Sequence, residues 1–108
     1  MTKRYLIANW KMNLPPEGIE PYLQALAHGR IDAATTVVVA PPYPYIRDLH
    51  GVAAGAQNCG GQQSGAFTGE VSPAMLRELG VRYVIAGHSE RRNIFGESGA
   101  LVARKLGL

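Results

Sequence analysis

An imidazole, a hydroxyl and a carboxylate stand side by side in the run Ala86-Gly87-His88-Ser89-Glu90-Arg91-Arg92, directly after an apolar segment, Val81 to Ala86. Histidine is the side chain whose ordinary titration range suits proton shuttling and carbonyl polarisation near neutrality. A second polar group, Asn9-Trp10-Lys11-Met12-Asn13, follows the first apolar segment and brings a carboxamide and an ammonium. Taken singly, each residue has an ordinary explanation. Lys11 reads as a solvated lysine at a strand end, His88 as a histidine satisfied by backbone, and Glu90 as acidic charge at a helix start. Taken together, they supply a cation, an electrophile and an amide around one mouth, provided that both segments end strands of the same sheet.

The rest of the chain is organised to make that so. Tyr5 to Ala8, Thr36 to Ala40, Val52 to Gln57 and Val81 to Ala86 are short runs rich in Val, Ile, Ala and Tyr, the pattern of buried parallel strands. Helical segments are expected between and after them. Glu17 to His28 carries Ile19, Tyr22, Leu23 and Leu26 on one face; Tyr45 to His50 is shorter; Ser72 to Leu79 opens with an N-cap serine and a proline at the first helical position; Gly99 to Leu106 follows the last strand. His28-Gly29, His50-Gly51 and Leu79-Gly80 each place a glycine suited to a left-handed cap after a helical pattern. The two histidines are expected to serve structure, at helix ends that favour positive charge. The order βαβαβαβα with right-handed crossovers allows a doubly wound open sheet or part of a (β/α)₈ barrel. In either, ligands bind at the carboxyl ends of the strands. Strand alternation puts Tyr5, Ile7, Asn9 and Lys11 on one face and Leu6, Ala8 and Trp10 on the other, so Trp10 is expected to pack outward under the helices.

Composition excludes several classes. With 108 residues, 46% hydrophobic and 18% charged, the chain is globular in character. It contains no run of the roughly 20 apolar residues that span a bilayer and no long apolar core of a signal peptide, so no membrane is expected and the location expected is cytoplasmic. The net charge of +3 is scattered rather than gathered into a stripe with aromatics, which argues against nucleic acid as a partner. No glycine-rich nucleotide cradle follows the first strand. The single cysteine, Cys59, makes no internal disulfide and has no neighbours at zinc-ligand spacing, so no metal is expected.

Five segments resemble triosephosphate isomerases in order and approximate spacing: Asn9 to Asn13, Ala40-Pro41-Pro42, Gly55-Ala56-Gln57-Asn58, Gly65 to Ser72, and Gly87 to Arg92. The resemblance covers essentially the whole chain. It implies a (β/α)₈ TIM barrel of which residues 1–108 supply about the first four βα units, the amino-terminal half of a single domain. It implies a reaction without cofactors that interconverts dihydroxyacetone phosphate and glyceraldehyde 3-phosphate through an enediolate, in glycolysis and gluconeogenesis. By the same resemblance Lys11 binds the substrate and offsets its charge, and Asn9 frames the pocket. His88, held neutral by the helix start that follows it, polarises the carbonyl and shuttles protons, while Ser89 and Glu90 support the site from behind.

The resemblance further implies a homodimer, because the family's third βα loop, here the dozen or so residues from Cys59 to Val71, docks beside the partner's active site. Thr68 corresponds to its tip. Cys59-Gly60-Gly61-Gln62-Gln63 departs from the family's usual aromatic and acidic content at the loop base. A complete barrel of this kind runs to roughly 250 residues, and the family's glutamate base, its lid and its phosphate loops correspond to positions after Leu108. The chain alone is therefore expected to be inactive, with two unpaired sheet edges, unless a complementary carboxyl-terminal half is present. The alternative is a noncatalytic half-barrel that folds or self-associates without turnover.

Overall fold

The computed structural model describes residues 2–108. Four strands, β1 (Arg4–Asn9), β2 (Thr35–Ala40), β3 (Ala53–Ala56) and β4 (Tyr83–Val84), form one parallel sheet in the order β1-β2-β3-β4. Helix α1 (Ile19–His28) links the first pair and a 3-10 helix (Tyr43–Asp48) the second. α2 (Pro73–Glu78) precedes β4, while α3 (Ser89–Asn93) and α4 (Gly99–Leu106) follow it. All four expected strands are present, in sequential order.

The sheet is a curved wall. Three strand spacings in a flat sheet would separate β1 from β4 by about 14 Å, yet the rings of Tyr5 and Tyr83 meet edge to face with centroids 6.0 Å apart. Gly55 permits the curl. A Cβ there would lie 2.8 Å from Val38 Cγ1 and 3.4 Å from the Ala40 Cβ, so only glycine lets β3 close on the inward side chains of β2. On the outer face, Ile46, Ala56, Cys59, Leu76 and Val81 form a buried cluster against which Tyr43, Ala54, Val71 and Leu79 pack. β2 is covered on both faces, with Val38, Val39 and Ala40 at 1% exposure or less. β1, at the edge, leaves Tyr5, Leu6 and Ile7 half exposed or more, at 50, 60 and 53%. The Cα radius of gyration, 14.8 Å, exceeds the roughly 13 Å of a closed domain of this length.

Several boundaries differ from expectation for local reasons. β4 contracts from Val81–Ala86 to Tyr83–Val84, its ladder to β3 pairing only Gly55 with Tyr83 and Ala56 with Val84, although Arg82 N–H reaches the Ala54 carbonyl and Ile85 N–H the Ala56 carbonyl. The segment expected as a helix over Tyr45 to His50 is a 3-10 helix shifted to Tyr43–Asp48; Pro44 lies in its first turn and Pro42 caps it. α1 starts at Ile19 rather than Glu17, since Gly18 at φ 97° interrupts the helix geometry. Ser72 caps α2 as its Ser-Pro start predicts, accepting from Met75 N–H at 3.2 Å. Gly51 and Gly80 take left-handed backbone, Gly80 directly after the α2 cap at Leu79, whereas Gly29 caps α1 in extended geometry at φ −74°. His50 does not cap a helix; its Nε2 pairs with Glu20 of α1 at 2.8 Å. That contact holds the Glu20 carboxyl below the ordinary carboxylate range, through the hydrogen bond from His50 first and that from Gln24 next.

Leu76 is 1% exposed at the centre of the outer cluster. Leu76→Ala leaves a cavity there and should lower stability by about 2–5 kcal/mol, read as a fall in the urea midpoint without a change in slope.

Candidate active site

The carboxyl ends of β1, β3 and β4 converge on a cavity of about 270 Å³ whose wall includes Asn9, Lys11, Gln57, Asn58, His88 and Glu90. Sequence-distant groups meet here because parallel strands in register end at one level: Asn9 is paired with Ala40, and Ala56 with Val84.

His88 is placed by the turn that follows β4. Gly87, at φ 70°, reverses the chain, and a Cβ there would press on Val102 at 3.0 Å. His88 then caps α3, with Nδ1 accepting from the Glu90 N–H at 3.0 Å. A nitrogen that accepts from a backbone amide carries a lone pair, so the ring's proton sits on Nε2, which is left to act as a donor.

Lys11 is placed differently from the expectation. β1 ends at Asn9, so strand alternation does not extend to Lys11. The residue instead adopts φ 56°, the one non-glycine residue with positive φ among those described, at a cost of about 1–2 kcal/mol for a side chain with a Cβ. Asn9 closes the turn, its Oδ1 accepting from the Lys11 N–H at 3.0 Å. Trp10 N–H donates to the Ala40 carbonyl at 3.1 Å, and the Trp10 indole packs edge-on against Tyr22 of α1 with centroids 5.1 Å apart, under the helical layer. The left-handed turn swings the Lys11 ammonium to 2.5 Å from Glu90 Oε1. That bond holds the Glu90 carboxyl below the ordinary carboxylate range. Both partners keep about half their side-chain surface, 54 and 42%, so the pair remains open to an incoming anion.

The structure therefore brings Asn9, Lys11, His88 and Glu90 to one cavity. Ser89 opens α3 with an exposed side chain outside the cavity wall, and Thr68 lies exposed in a turn of the 59–71 loop, also away from it. The loop is closed at its base by Gly60 N–H donating to the Val71 carbonyl at 2.7 Å. Gly61 lets it lie on α4: a Cβ there would meet Leu101 at 2.8 Å.

A buried ionic cluster behind the cavity was not anticipated. Glu97 Oε2 accepts from Lys105 Nζ at 2.8 Å and from Arg91 Nε at 2.7 Å, and Lys105 also donates to Asn58 Oδ1 at 2.7 Å. The Glu97 and Lys105 side chains are each 3% exposed. Burial pushes the Glu97 carboxyl up, but the hydrogen bonds from Lys105 and Arg91 together outweigh it and hold the group below the ordinary carboxylate value. The Arg91 guanidinium stacks over Phe95 with its carbon 4.4 Å from the ring centre. Tyr43 donates to the Asn58 carbonyl at 2.8 Å, and burial drives its hydroxyl up to about 12. Burial likewise pushes the Cys59 thiol up, away from nucleophilic use. Glu97 sits six residues beyond Arg91 and eight before Lys105; that acid-between-bases spacing across a helix break is the one signal the sequence offered. Among the described residues no group of three or more His, Cys, Asp or Glu is placed to hold a metal ion, and no helix is long and apolar enough to cross a membrane.

A parallel sheet curled with its helices outside and its polar residues at the carboxyl ends of the strands is the wall of a (β/α)₈ barrel. The family model of triosephosphate isomerase matches residues 4–108, and the chain belongs to that family. It is 45% identical to the triosephosphate isomerase of Natranaerobius thermophilus, 43% to that of Carboxydothermus hydrogenoformans and 39% to that of Colwellia psychrerythraea. Each alignment covers 98% of this chain but 44, 45 and 46% of the relative, so the chain spans a little under half the length of these curated relatives.

Two outcomes check this geometry. In ¹⁵N NMR of the imidazole at neutral pH, His88 Nδ1 should resonate as an unprotonated nitrogen and Nε2 as a protonated one. Because the Glu97 carboxyl is depressed in the folded state, its stabilisation is fully present above the unfolded carboxylate value and is lost as pH falls through the folded one. Glu97→Gln should therefore cost about 3–5 kcal/mol near neutrality, with the difference from the parent narrowing on acidification in urea titrations at about pH 7 and about pH 3.

Proposed function

We propose that this chain carries the electrophilic half of a triose-phosphate isomerase site, which interconverts dihydroxyacetone phosphate and glyceraldehyde 3-phosphate in the cytoplasm, without metal or organic cofactor. The observation that supports this best is the meeting of a Nε2–H imidazole and a paired ammonium at one strand-end cavity. In this reading the substrate's carbonyl oxygen accepts from His88 Nε2–H. As a proton leaves the adjacent carbon, negative charge grows on that oxygen, and a donor already in place stabilises it without reorganisation. His88 then passes its proton to one oxygen and recovers one from the other. Lys11 binds the anionic substrate and Asn9 shapes the wall. Glu90 pairs with the ammonium and positions it until substrate arrives. Ser89 supports the start of α3 from outside the cavity.

Removal of the carbon-bound proton is assigned to the glutamate that the family carries in its second half, so turnover in this reading needs strands five to eight from a longer product or a complementary chain. A positioned base contributes roughly 10²–10⁴ in rate, and phosphate-gripping loops add to it by orienting the reacting carbon. Thr68 is proposed to reach a partner subunit in a homodimer of the completed barrel. A second reading is a half-barrel that self-associates without turnover; the exposure of Tyr5, Leu6 and Ile7 on both faces of β1 favours it for the chain by itself.

Isomerase assays separate the two. The purified chain alone should show no turnover, and the chain joined to the carboxyl-terminal half of the Natranaerobius thermophilus relative should show it. Lys11→Met in the joined protein should abolish nearly all activity while leaving its circular dichroism unchanged. Activity within tenfold of the parent would overturn the assignment of Lys11, and a folded joined protein with no turnover would overturn the isomerase reading.

A further inference from the structure

Gln57 follows β3, and its side chain does something that neither the chemistry of the reaction nor the packing of the sheet requires. Its Nε2 donates to the Lys11 carbonyl at 2.9 Å and to the Ala40 carbonyl at 2.8 Å. A primary amide has two N–H bonds, and both are used, each on a backbone acceptor at the end of a different strand segment. The Ala40 carbonyl also accepts from Trp10 N–H, so one carbonyl ties the residue before Lys11 to β2 while the carboxamide ties Lys11 itself to β3. Lys11 is the residue in the left-handed region. The Asn9 bond to its N–H is local and would travel with the turn; the Gln57 bond reaches it from 46 residues away and fixes its carbonyl in space.

We propose that Gln57 is the positioning residue for Lys11: its carboxamide clamps the left-handed peptide so that the ammonium is held at the cavity beside Glu90. The proposal rests on the isomerase reading only for its effect on turnover, since the clamp itself is a statement about where the ammonium sits. A backbone released from the clamp returns to the ordinary region, and the reversal of the Lys11 backbone carries the long side chain away from the mouth. Misplacement of a charged group by about 1 Å is enough to cost roughly 10²-fold in rate.

The Glu90 carboxyl reports the ammonium independently of catalysis, because the hydrogen bond and charge of Lys11 lower it, with His88 contributing and Arg91 also lining the cavity. Gln57→Met keeps the length and volume of the side chain and removes both donors. In ¹³C NMR titration of the Glu90 carboxyl in the full chain, Gln57→Met should move the midpoint upward in the direction that Lys11→Met moves it. In the protein joined to a relative's carboxyl-terminal half, it should lower kcat by about 10–100-fold, with a smaller change in KM. A Glu90 midpoint unchanged in Gln57→Met while Lys11→Met shifts it would overturn the proposal, as would a midpoint that Lys11→Met does not shift. If Gln57→Met does not fold, Gln57→Asn, whose amide is one carbon shorter by about 1.5 Å, is titrated instead and should give the same upward shift. If the joined protein has no isomerase activity, the functional reading fails and the titration still decides the clamp.

Discussion

The left-handed backbone at Lys11 is the constraint around which the cavity is built. A side chain with a Cβ enters that region only where surrounding bonds outweigh the local cost, and here three bonds act on consecutive residues: Trp10 N–H to Ala40, Asn9 to Lys11 N–H, and Gln57 to the Lys11 carbonyl. Two of these three require β2 and β3 to end beside β1, which in turn requires the parallel register and the close approach that Gly55 allows. The fold and the position of one ammonium are thus linked through carbonyl groups rather than through side-chain packing.

The ionic cluster around Glu97 plays a comparable part on the other side of the cavity. Two charges at 3% exposure are costly to remove from water, and such a pair is weak evidence for stability in itself. Its geometry links three segments: α3 through Arg91, α4 through Lys105, and the residue after Gln57 through Asn58. α3 has five residues and none of them is buried. A helix that short is not held by its own hydrogen bonds, so its orientation, and with it the direction of His88, depends on the capping bond at its start and on Arg91 at its middle.

Much of this was legible in the chain because strand periodicity and helix caps are local signals. The four apolar runs marked the sheet, Ser72-Pro73 marked the start of α2, and Gly99 to Leu106 marked α4 to the residue. What the sequence did not reveal depends on pairing at a distance. Alternation along β1 carried Lys11 to the strand-end cavity for a reason that does not operate, since the strand stops two residues earlier and a left-handed turn takes over. The burial of Glu97 and Lys105 goes with bonds between distant positions, Asn58 lying 47 residues before Lys105. The glycine after His28 read as a left-handed cap; it does cap α1, but in extended geometry, since glycine permits the left-handed region without demanding it.

The contact between Tyr5 and Tyr83 has a meaning for whatever faces this wall. The two rings meet between the first strand and the fourth, so at that level aromatic volume already occupies part of the hollow. Interdigitated barrel interiors alternate bulky and small side chains between facing layers. An opposing surface packs best against this one with small side chains opposite the rings and larger aliphatic groups above and below them. The two tyrosines act as a size filter on the complementary face, set before any strand edge begins to pair.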